Sequence, residues 1–266
     1  DHGPASRVQS SHWRLNAAWR TTDDGERLPS WLALGRRWTY QSGAALSATF
    51  EPKTSGIDDL TTRGGPAFTV PAQEVVVVEF RSRRGDRWAF ETELELFREG
   101  FTGTGYELEF NPQFFAGENL TFGAELKYLD RPDWLIWREE IARVARHALR
   151  QIEASLAANW YPGRRAELRI RLQWAGLRAR VREVFDITPG GRLVPAAVAA
   201  EDFTLGDLAA QVRFRYEFKP LSELFVVWSY GGSRILDGDA SQGDLWSAVT
   251  KEPDAQQLVV KLAWRF

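Results

Sequence analysis

The sequence predicts an all-β chain, and in particular a transmembrane antiparallel up-and-down β-barrel of about twelve strands. Three observations support this prediction. Apolar and polar residues alternate along most of the chain, short turns alternate with long loops, and the final segment has one wide apolar face. We treat residues 1–266 as one barrel domain, because barrels commonly exceed about 200 residues without dividing.

The final segment, residues 258–266, places its apolar residues at alternate positions, which makes one face of a strand. This face carries Leu258, Val260, Leu262, Trp264 and Phe266. A soluble protein rarely ends on so wide an apolar strand face, whereas a membrane barrel turns that face to lipid and pairs its last strand with its first. The segment therefore predicts the closing strand of a barrel.

Composition excludes several other classes. The mean hydropathy is −0.36 and no apolar run is long enough for a transmembrane helix. The 34 basic and 36 acidic residues nearly cancel, which argues against a nucleic-acid partner. The absence of cysteine excludes disulfides and thiolate metal sites, while 12 tryptophans favour a membrane interface. Without methionine or a signal peptide, we expect either a mature product or the C-terminal part of a longer protein.

Alternation of apolar and polar residues predicts most of the strands. The predicted strands cover 11–20, 31–40, 44–52, 73–82, 88–97, 106–110, 120–128, 144–160, 167–182, 211–218, 224–230 and 258–266. Asn111-Pro112 is expected to break a strand. Beyond Ala175-Gly176 the apolar phase reverses, which predicts a β-bulge at that point.

Residues 134–160 are ambiguous in the sequence. Val144, Ala148 and Ile152 fit a helical stripe, and this segment taken alone favours helix because it is rich in alanine, arginine and glutamate. A period of two also fits, with Ile152, Leu156 and neighbouring alanines on one face. The alternating strand that follows Trp160 favours the second interpretation.

The connections alternate in length, which gives the chain a direction. Short turns are predicted at 83–86, 111–119, 161–164 and 219–222, and longer loops at 53–72, 129–143, 186–206 and 232–255. Outer-membrane barrels have short periplasmic turns and long outer loops, with both chain ends on the periplasmic side. The pattern therefore predicts a bacterial outer-membrane location with the C-terminus at the periplasmic side.

Several segments resemble a known family, namely 57–66, 160–162 with 167–174, 215–228 and 258–266. The Thr-Arg-Gly-Gly-Pro loop at 62–66 is the most specific of them. They resemble an uncharacterised family of Gram-negative outer-membrane proteins that join an N-terminal carbohydrate-binding module, family-9-like, to a C-terminal barrel of unassigned function. The resemblance implies that residues 30–266 correspond to the barrel, that 144–160 is strand, and that Phe266 contributes to recognition by the barrel-assembly machinery. It supplies no catalytic residues.

Charged residues on the predicted inward faces divide by sign along the chain. The acidic wall comprises Glu91, Glu93, Glu95, Glu107, Glu109 and Glu125. The basic wall comprises Arg169, Arg171, Arg178, Arg180, Arg182, Arg213, Arg215, Lys261 and Arg265. One interpretation is a pore or conduit whose transverse field selects small polar or charged solutes. The other is a closed barrel filled by paired charges, which serves as an anchor or assembly scaffold.

Other kinds of site receive little support. His147 and Ser155 share a face, but eight residues at about 3.3 Å each keep them far apart, so no catalysis is predicted. Asp58 with Asp59 could bind a cation, but solvated turn residues explain them equally well. Asp237, Asp239, Ser241 and Asp244 have an oxygen spacing that resembles a calcium loop, but Ala248 stands where the bidentate glutamate is expected, so no metal or cofactor is predicted.

The predicted surroundings follow from the barrel. Membrane-interface aromatics are expected at Trp160, Tyr161, Phe218, Trp264 and Phe266. The expected partners are the lipid bilayer and lipopolysaccharide, the barrel-assembly machinery through the C-terminal strand, and a periplasmic or outer-membrane partner protein.

Overall fold

The computed structural model describes residues 7–139, 143–238 and 240–265. Most of them form β-strands, in agreement with the alternating sequence. The elements are β1 (Val8–Ala18), β2 (Trp31–Tyr40), β3 (Ala45–Lys53), β4 (Gly56–Asp58), β5 (Phe68–Val70), β6 (Gln73–Arg81), β7 (Trp88–Arg98), β8 (Thr104–Phe115), β9 (Leu120–Arg138), β10 (Arg143–Gly163), β11 (Ala166–Ile187), β12 (Leu193–Pro195), β13 (Phe203–Lys219), β14 (Ser222–Asp237), α1 (Gln242–Lys251) and β15 (Ala255–Ala263).

The strands form one antiparallel sheet in which nearly every strand pairs with its neighbour along the chain. The order is β1-β2-β3-β6-β7-β8-β9-β10-β11-β13-β14-β15, with β12 attached to β11 and β4-β5 forming a separate hairpin. This confirms an all-β antiparallel fold with twelve strands along the main path. Within the described residues no ladder joins β1 to β15, so the sheet has two free edges there.

Direct cross-strand partners show that the sheet has two chemically different faces, because directly opposed residues point to the same side. One face, here called the apolar face, includes Leu94 and its partner Leu108. The other, here called the charged face, includes Glu93 and its partner Glu109. The two-residue period keeps these faces distinct across the sheet.

The strands are progressively staggered across the sheet. Following direct partners from Trp13, at the middle of β1, leads to Arg234, close to the end of β14. The intermediate positions are Arg36, Ala48, Val78, Leu94, Leu108, Tyr128, Ile152, Gly176 and Gly206. The strands are therefore inclined to the line along which they pair.

The connections sort to the two ends of the sheet. The turns at 41–44, 82–87, 116–119, 164–165 and 220–221 lie at one end, here called the turn end, together with the start of β1 and the end of β15. The remaining connections lie at the opposite loop end. The predicted loop at 129–143 is wrong, because β9 continues to Arg138 and β10 begins at Arg143. The predicted strand over 144–160 is confirmed.

At the loop end, β9, β10 and β11 extend past their neighbours and are packed on both faces. Phe68 and Val70 of the β4-β5 hairpin bury Val144, and the partly buried Leu135, Trp137, Ile187 and Leu193 complete this small core. Long-range packing by the hairpin explains why the alternation fades here. The segment 53–72, expected as a loop, therefore includes a hairpin that covers this extension.

Two local predictions about backbone irregularities are wrong. Pairing of β11 with both neighbours continues without a shift through Ala175-Gly176. The extra residue in β11 is instead Arg182, since Glu183 pairs with Arg146 and Val181 pairs with His147. Asn111-Pro112 does not end β8, which runs on to Phe115.

The connection at 232–255 is also more ordered than predicted, since β14 reaches Asp237 and α1 follows. Ser241 caps α1, and its hydroxyl and the Asp244 carboxylate form a capping box. The buried side of α1, Leu245 and Val249, lies on the apolar face of β13 and β14. No described helix is long and apolar enough to cross a membrane.

Candidate functional site: the charged face of the sheet

The six predicted acidic residues lie together on the charged face of β7, β8 and β9. Glu93 is directly opposite Glu109, and Glu95 is directly opposite Glu107. Glu91 and Glu125 occupy positions of the same parity on β7 and β9. Carboxylates that face one another across a ladder repel, so this region needs cations nearby.

Cations and hydroxyls from adjacent strands offset part of this acidic charge. The Lys127 ammonium lies 2.7 Å from the Glu107 carboxylate, and the Arg81 guanidinium lies 2.9 Å from the Glu91 carboxylate. Ser47 donates a hydrogen bond to Glu79, an acidic residue of the same face that sequence reasoning missed. The acidic region is therefore an ion-paired surface with a net negative charge.

The basic residues of β11 and β13 form a second group on the same face. Arg169 and Arg213 are directly opposed, and Arg215 follows two positions along β13. Arg169 pairs with Glu167, and Arg215 pairs with Glu223.

Arg171, which also lies on the charged face of β11, is bound differently. Arg171 donates to the Asn159 side-chain oxygen at 3.0 Å and to backbone carbonyls. A single strand, β10, separates the acidic region, which ends on β9, from the basic region, which begins on β11.

Three arginines predicted for the basic wall do not join it. Because pairing is regular through Ala175-Gly176, Arg178 and Arg180 have the parity of Trp174 and lie on the apolar face. Arg182 is the bulged residue and breaks the alternation. The assignment of these residues to a common wall with Arg169 and Arg171 is therefore corrected.

The C-terminal basic residues have separate positions. Lys261 is opposite Phe225, on the charged face. Arg265 follows the end of β15, and its backbone N–H donates to the Ser222 hydroxyl at 3.0 Å. Both are near the turn end, two strands from the Arg213 group.

Predicted interface aromatics occupy the turn end. Phe218 and Trp264 have ring centroids 5.2 Å apart, and the Lys219 ammonium lies 4.7 Å from the Trp264 ring centroid. Trp160 and Tyr161 are exposed at the end of β10. A row that sequence reasoning did not single out, Trp88, Phe114 and Phe122, continues along the same end. Phe266 lies outside the described residues.

A cavity of about 590 Å³ opens on the charged face of β1, β2, β3 and β6. Trp31, Arg14 and Arg37 line it together with Glu51 and Glu79. Sequence reasoning missed these residues, although Arg14 was visible on the polar side of the first predicted strand. They place basic charge on β1 and β2, at the sheet edge opposite β15.

The loop-end extension contains a buried ion pair. The Arg146 guanidinium lies 3.0 Å from the Asp133 carboxylate, whose side chain is fully buried. Burial alone would raise the pKa of Asp133, but hydrogen bonds from Thr102, Gly103 and Arg146 outweigh it and hold the pKa below its usual value. This pair positions the 99–103 connection on β9 and β10.

The extension also holds His147, which is fully buried against Trp134 and Phe203. Burial lowers its pKa. Its partner across β11 is Val181, so the structure gives it an apolar setting rather than a nucleophile. Among the described residues, no three histidine, cysteine, aspartate or glutamate side chains are grouped to hold a metal ion.

The residues considered for a calcium-like loop have other roles. Ser241 and Asp244 form the N-terminal cap of α1, and the Ser241 hydroxyl holds the pKa of Asp244 below its usual value. Asp239 lies outside the described residues. Comparisons with protein-family models, curated proteins and solved structures give no match.

Proposed function

We propose that this chain closes into a twelve-stranded outer-membrane β-barrel with the charged face inside, and that it conducts small polar or charged solutes. The barrel would belong in the bacterial outer membrane, with the turn end and the C-terminus at the periplasmic side. The family resemblance seen in the sequence is part of the same proposal.

The observation that carries the proposal is the reversed exposure of the two faces. On the apolar face Leu108 and Leu156 are each 47% exposed, whereas on the charged face the side chains of Glu107 and Lys127 are 20% and 27% exposed. Soluble proteins keep extended apolar surface out of water. A sheet that exposes leucine and shelters charge suits lipid on one side and a polar interior on the other.

The width of the apolar surface supports the same proposal. Between its boundaries the apolar face spans residues 88–96 on β7, 106–114 on β8, 120–128 on β9 and 152–160 on β10. Each stretch matches the ~9–11 residues that a tilted strand needs to cross hydrocarbon. Aromatic residues mark the turn-end boundary, as expected for a membrane interface.

Strand stagger and chain ends fit closure. A barrel requires strands that are inclined to its axis and shifted in register from one to the next, which is the stagger seen from Trp13 to Arg234. The two free edges of the sheet are β1 and β15. The start of β1 and the end of β15 both lie at the turn end, so the two strands run in opposite directions and can pair antiparallel. Closure would satisfy the backbone groups that lipid cannot.

In the closed ring the acidic and basic regions would face each other. The acidic strands β6 to β9 would lie opposite β11, β13, β15 and β1, which carry Arg169, Arg213, Lys261 and Arg14. Such an arrangement gives a transverse field that orients and selects charged solutes.

Planar-bilayer recording tests the conduit. Purified protein should give discrete conductance steps, and a salt gradient should give a reversal potential that moves when Glu91 and Glu93 are exchanged for lysine. No current above the buffer background would reject the conduit, and an unchanged reversal potential would reject the role of these residues in selectivity.

A second candidate is a closed barrel that anchors or scaffolds a periplasmic or outer-membrane partner protein. It is favoured by the ion pairs that join Lys127 to Glu107 and Arg81 to Glu91, because opposed long side chains can fill a narrow interior. Correct membrane insertion without conductance, together with co-purification of a partner on the turn end, would support this candidate over the conduit.

A further inference from the structure

The cavity of about 590 Å³ on the charged face, here called the edge cavity, has opposite charges on its two sides. Two rows of direct cross-strand partners run through it. The rows are Arg37, Ser47 and Glu79 across β2, β3 and β6, and Arg14, Gly35 and Thr49 across β1, β2 and β3. Glu51 follows two positions after Thr49 on the same face of β3. Arginines therefore line the side of β1 and β2, and carboxylates line the side of β3 and β6.

The two arginines of the edge cavity are available to a solute. Among the described residues, no hydrogen bond or ion pair engages the side chain of Arg14 or Arg37. Arg37 has a longer-range electrostatic interaction with Glu91, but the Glu91 carboxylate is bound by Arg81 at 2.9 Å. A guanidinium group without a carboxylate partner favours a carboxylate brought by a ligand.

The two carboxylates of the edge cavity keep acceptor capacity, although each has a cation nearby. Glu51 lies 3.2 Å from the Lys53 ammonium. Glu79 accepts a hydrogen bond from the Ser47 hydroxyl at 3.1 Å and lies 3.5 Å from the Arg81 guanidinium. Because an ionised carboxylate offers about four acceptor positions, both can accept further N–H donors.

Small residues form the floor between the two charged sides. Ala33 is 7% exposed and Gly35 is buried. A Cβ atom at Gly35 would lie 2.9 Å from the Thr49 hydroxyl oxygen, so a larger residue there would occupy the depression. Trp31 adds an apolar wall. The volume lies within the range of about 300–1,000 Å³ that is typical of small-molecule sites.

We infer that the edge cavity binds small zwitterions, namely free amino acids and dipeptides. The two arginines hold the solute carboxylate, because a guanidinium donates paired hydrogen bonds to carboxylate oxygens. The two glutamates accept the solute ammonium across the floor. Two strand spacings of about 4.8 Å separate the backbones of Arg37 and Glu79, and their long side chains narrow this gap to the ~7 Å of a two-residue peptide.

This inference rests on the proposed function, because it names the class of solute that the lumen of the conduit would take up. A conducting site must bind its solute weakly enough to release it. The edge cavity meets this condition, since it is open and its carboxylates already have cations nearby. Binding itself can be measured without a membrane.

Dipeptide probes of different charge test the inference on the wild-type chain. NMR titration of the full chain in detergent uses isotope-labelled alanyl-alanine, its N-acetyl derivative and its C-terminal amide. Alanyl-alanine should bind about tenfold more tightly than either derivative, because each derivative lacks one charged contact. Equal binding by either derivative, or no saturable binding of alanyl-alanine, would overturn the inference.

Charge removal locates the carboxylate contact. Arg14→Gln with Arg37→Gln should weaken the binding of alanyl-alanine about tenfold and leave the binding of the amide unchanged. The matched control, Arg169→Gln with Arg213→Gln, removes the same charge from the same face on β11 and β13 and should bind the dipeptide as the wild-type chain does. Equal losses in both variants would assign the binding to the general field of the face and overturn the inference.

Filling the floor tests the shape of the edge cavity without changing its charge. Gly35→Val should weaken the binding of alanyl-alanine at least tenfold. Gly123→Val is the matched control on the charged face of β9, since a Cβ there meets nothing nearer than 4.0 Å. Far-UV circular dichroism verifies that each variant keeps its sheet. Full binding by a folded Gly35→Val variant would contradict the location, and the wild-type probes remain decisive if a variant does not fold.

Failure of this inference and failure of the proposed function are distinguishable, because binding and conductance are measured separately. A chain that conducts ions but does not prefer alanyl-alanine over its two derivatives refutes the edge cavity alone. A chain that shows this preference but never conducts supports the edge cavity and refutes the conduit.

Discussion

The two halves of β11 carry similar arginines on opposite faces. Near the turn end, Arg169 and Arg171 lie on the charged face, whereas near the loop end Arg178 and Arg180 lie on the apolar face. Regular pairing through Gly176 is what separates them. Residue type alone therefore does not assign an arginine to an interior, because its parity in the sheet decides which surroundings it meets.

The surroundings of the two halves differ as well. The turn-end half of β11 has one face with exposed Ile170 and another on which Arg169 is ion-paired with Glu167 and Arg171 is hydrogen-bonded to Asn159. The loop-end half is covered on both sides, by α1 and the β4-β5 hairpin on one and by Phe203 on the other. Along its length, β11 therefore changes from a strand with two exposed faces of different chemistry to a strand that is packed on both faces.

The largest expected effect concerns the packed half. Asp133→Asn removes the negative charge that pairs with buried Arg146. The loss should cost about 3–5 kcal/mol in the free energy of unfolding of the extension. The matched control is Asp130→Asn in the exposed pair with Arg150, worth about 0–1 kcal/mol. Protection of residues 99–103 from protease measures the effect of each substitution. Equal losses of protection in the two variants would contradict the distinction between a packed and an exposed half.

Asp133 also makes the stability of the loop-end extension depend on pH, and the direction of that dependence follows from its lowered pKa. Because the pKa of Asp133 is lower in the folded chain than in the unfolded chain, its stabilisation is present above the unfolded value of about 4. It should be lost as the pH falls through the lower folded value. The wild-type extension should therefore become protease-sensitive in acid, and the Asp133→Asn variant should show a flatter profile.

The next effect concerns the contact of α1 with the sheet. A Cβ atom at Gly206 would lie 3.1 Å from Trp174 and 3.2 Å from Leu245, so Gly206→Val should loosen α1 at a cost of about 1–3 kcal/mol. Gly123→Val is the control, since a Cβ there meets nothing nearer than 4.0 Å. Faster proteolysis within 242–251 in the first variant alone is expected. Unchanged proteolysis would show that α1 does not depend on this close contact.

Charge reversal in β11 tests the two faces against each other. Arg169→Glu with Arg171→Glu should change the cation-to-anion permeability ratio by about two- to fivefold, given roughly 0.5–1 kcal/mol for the two reversals together in a water-filled lumen. Arg178→Glu with Arg180→Glu should leave that ratio unchanged. Reversal potentials measure both, and equal shifts would mean that both pairs sense the conducted ions.

The smallest expected effect lies at the turn end. Trp264→Leu removes the contacts with Phe218 and Lys219, and should lower the free energy of unfolding in vesicles by about 0.5–1 kcal/mol. Trp160→Leu is the comparison, because the described structure gives Trp160 no ring or cation partner. Denaturant titration, monitored by tryptophan fluorescence, gives the free energy of unfolding of both variants. Identical losses of stability would indicate a general effect of interface aromatics and not the specific contacts of Trp264.

Much of the fold was predictable because alternation is a local property. Glu91, Glu93 and Glu95 could be placed on one face from their spacing alone, and the register then brought Glu107 and Glu109 opposite them. The helix α1 also had a local signal, since Ser241 and Asp244 have the spacing of a capping box. That signal competed with a calcium-like spacing and was assigned to a loop.

The errors share a non-local cause. Gly176 suggested a bulge, yet pairing is regular there, and the Gln242 side chain of α1, a helix distant in sequence, lies over this glycine and donates to its carbonyl at 3.2 Å. Residues 129–143 lacked clean alternation because the extension they form is buried on both faces. The packing partners, α1 over Gly176 and the β4-β5 hairpin over the extension, cannot be identified from the sequence of either segment alone.

The sequence by itself determined the strand period, the number of main strands and the sign of charge on each half of the chain, since these follow from residues close together. Only the tertiary structure decided the parity of β11 beyond Gly176, the packing of α1 and the buried pair of Asp133 with Arg146. Those features depend on contacts between distant segments. The physical reason is that alternation selects a face, while packing decides what that face touches.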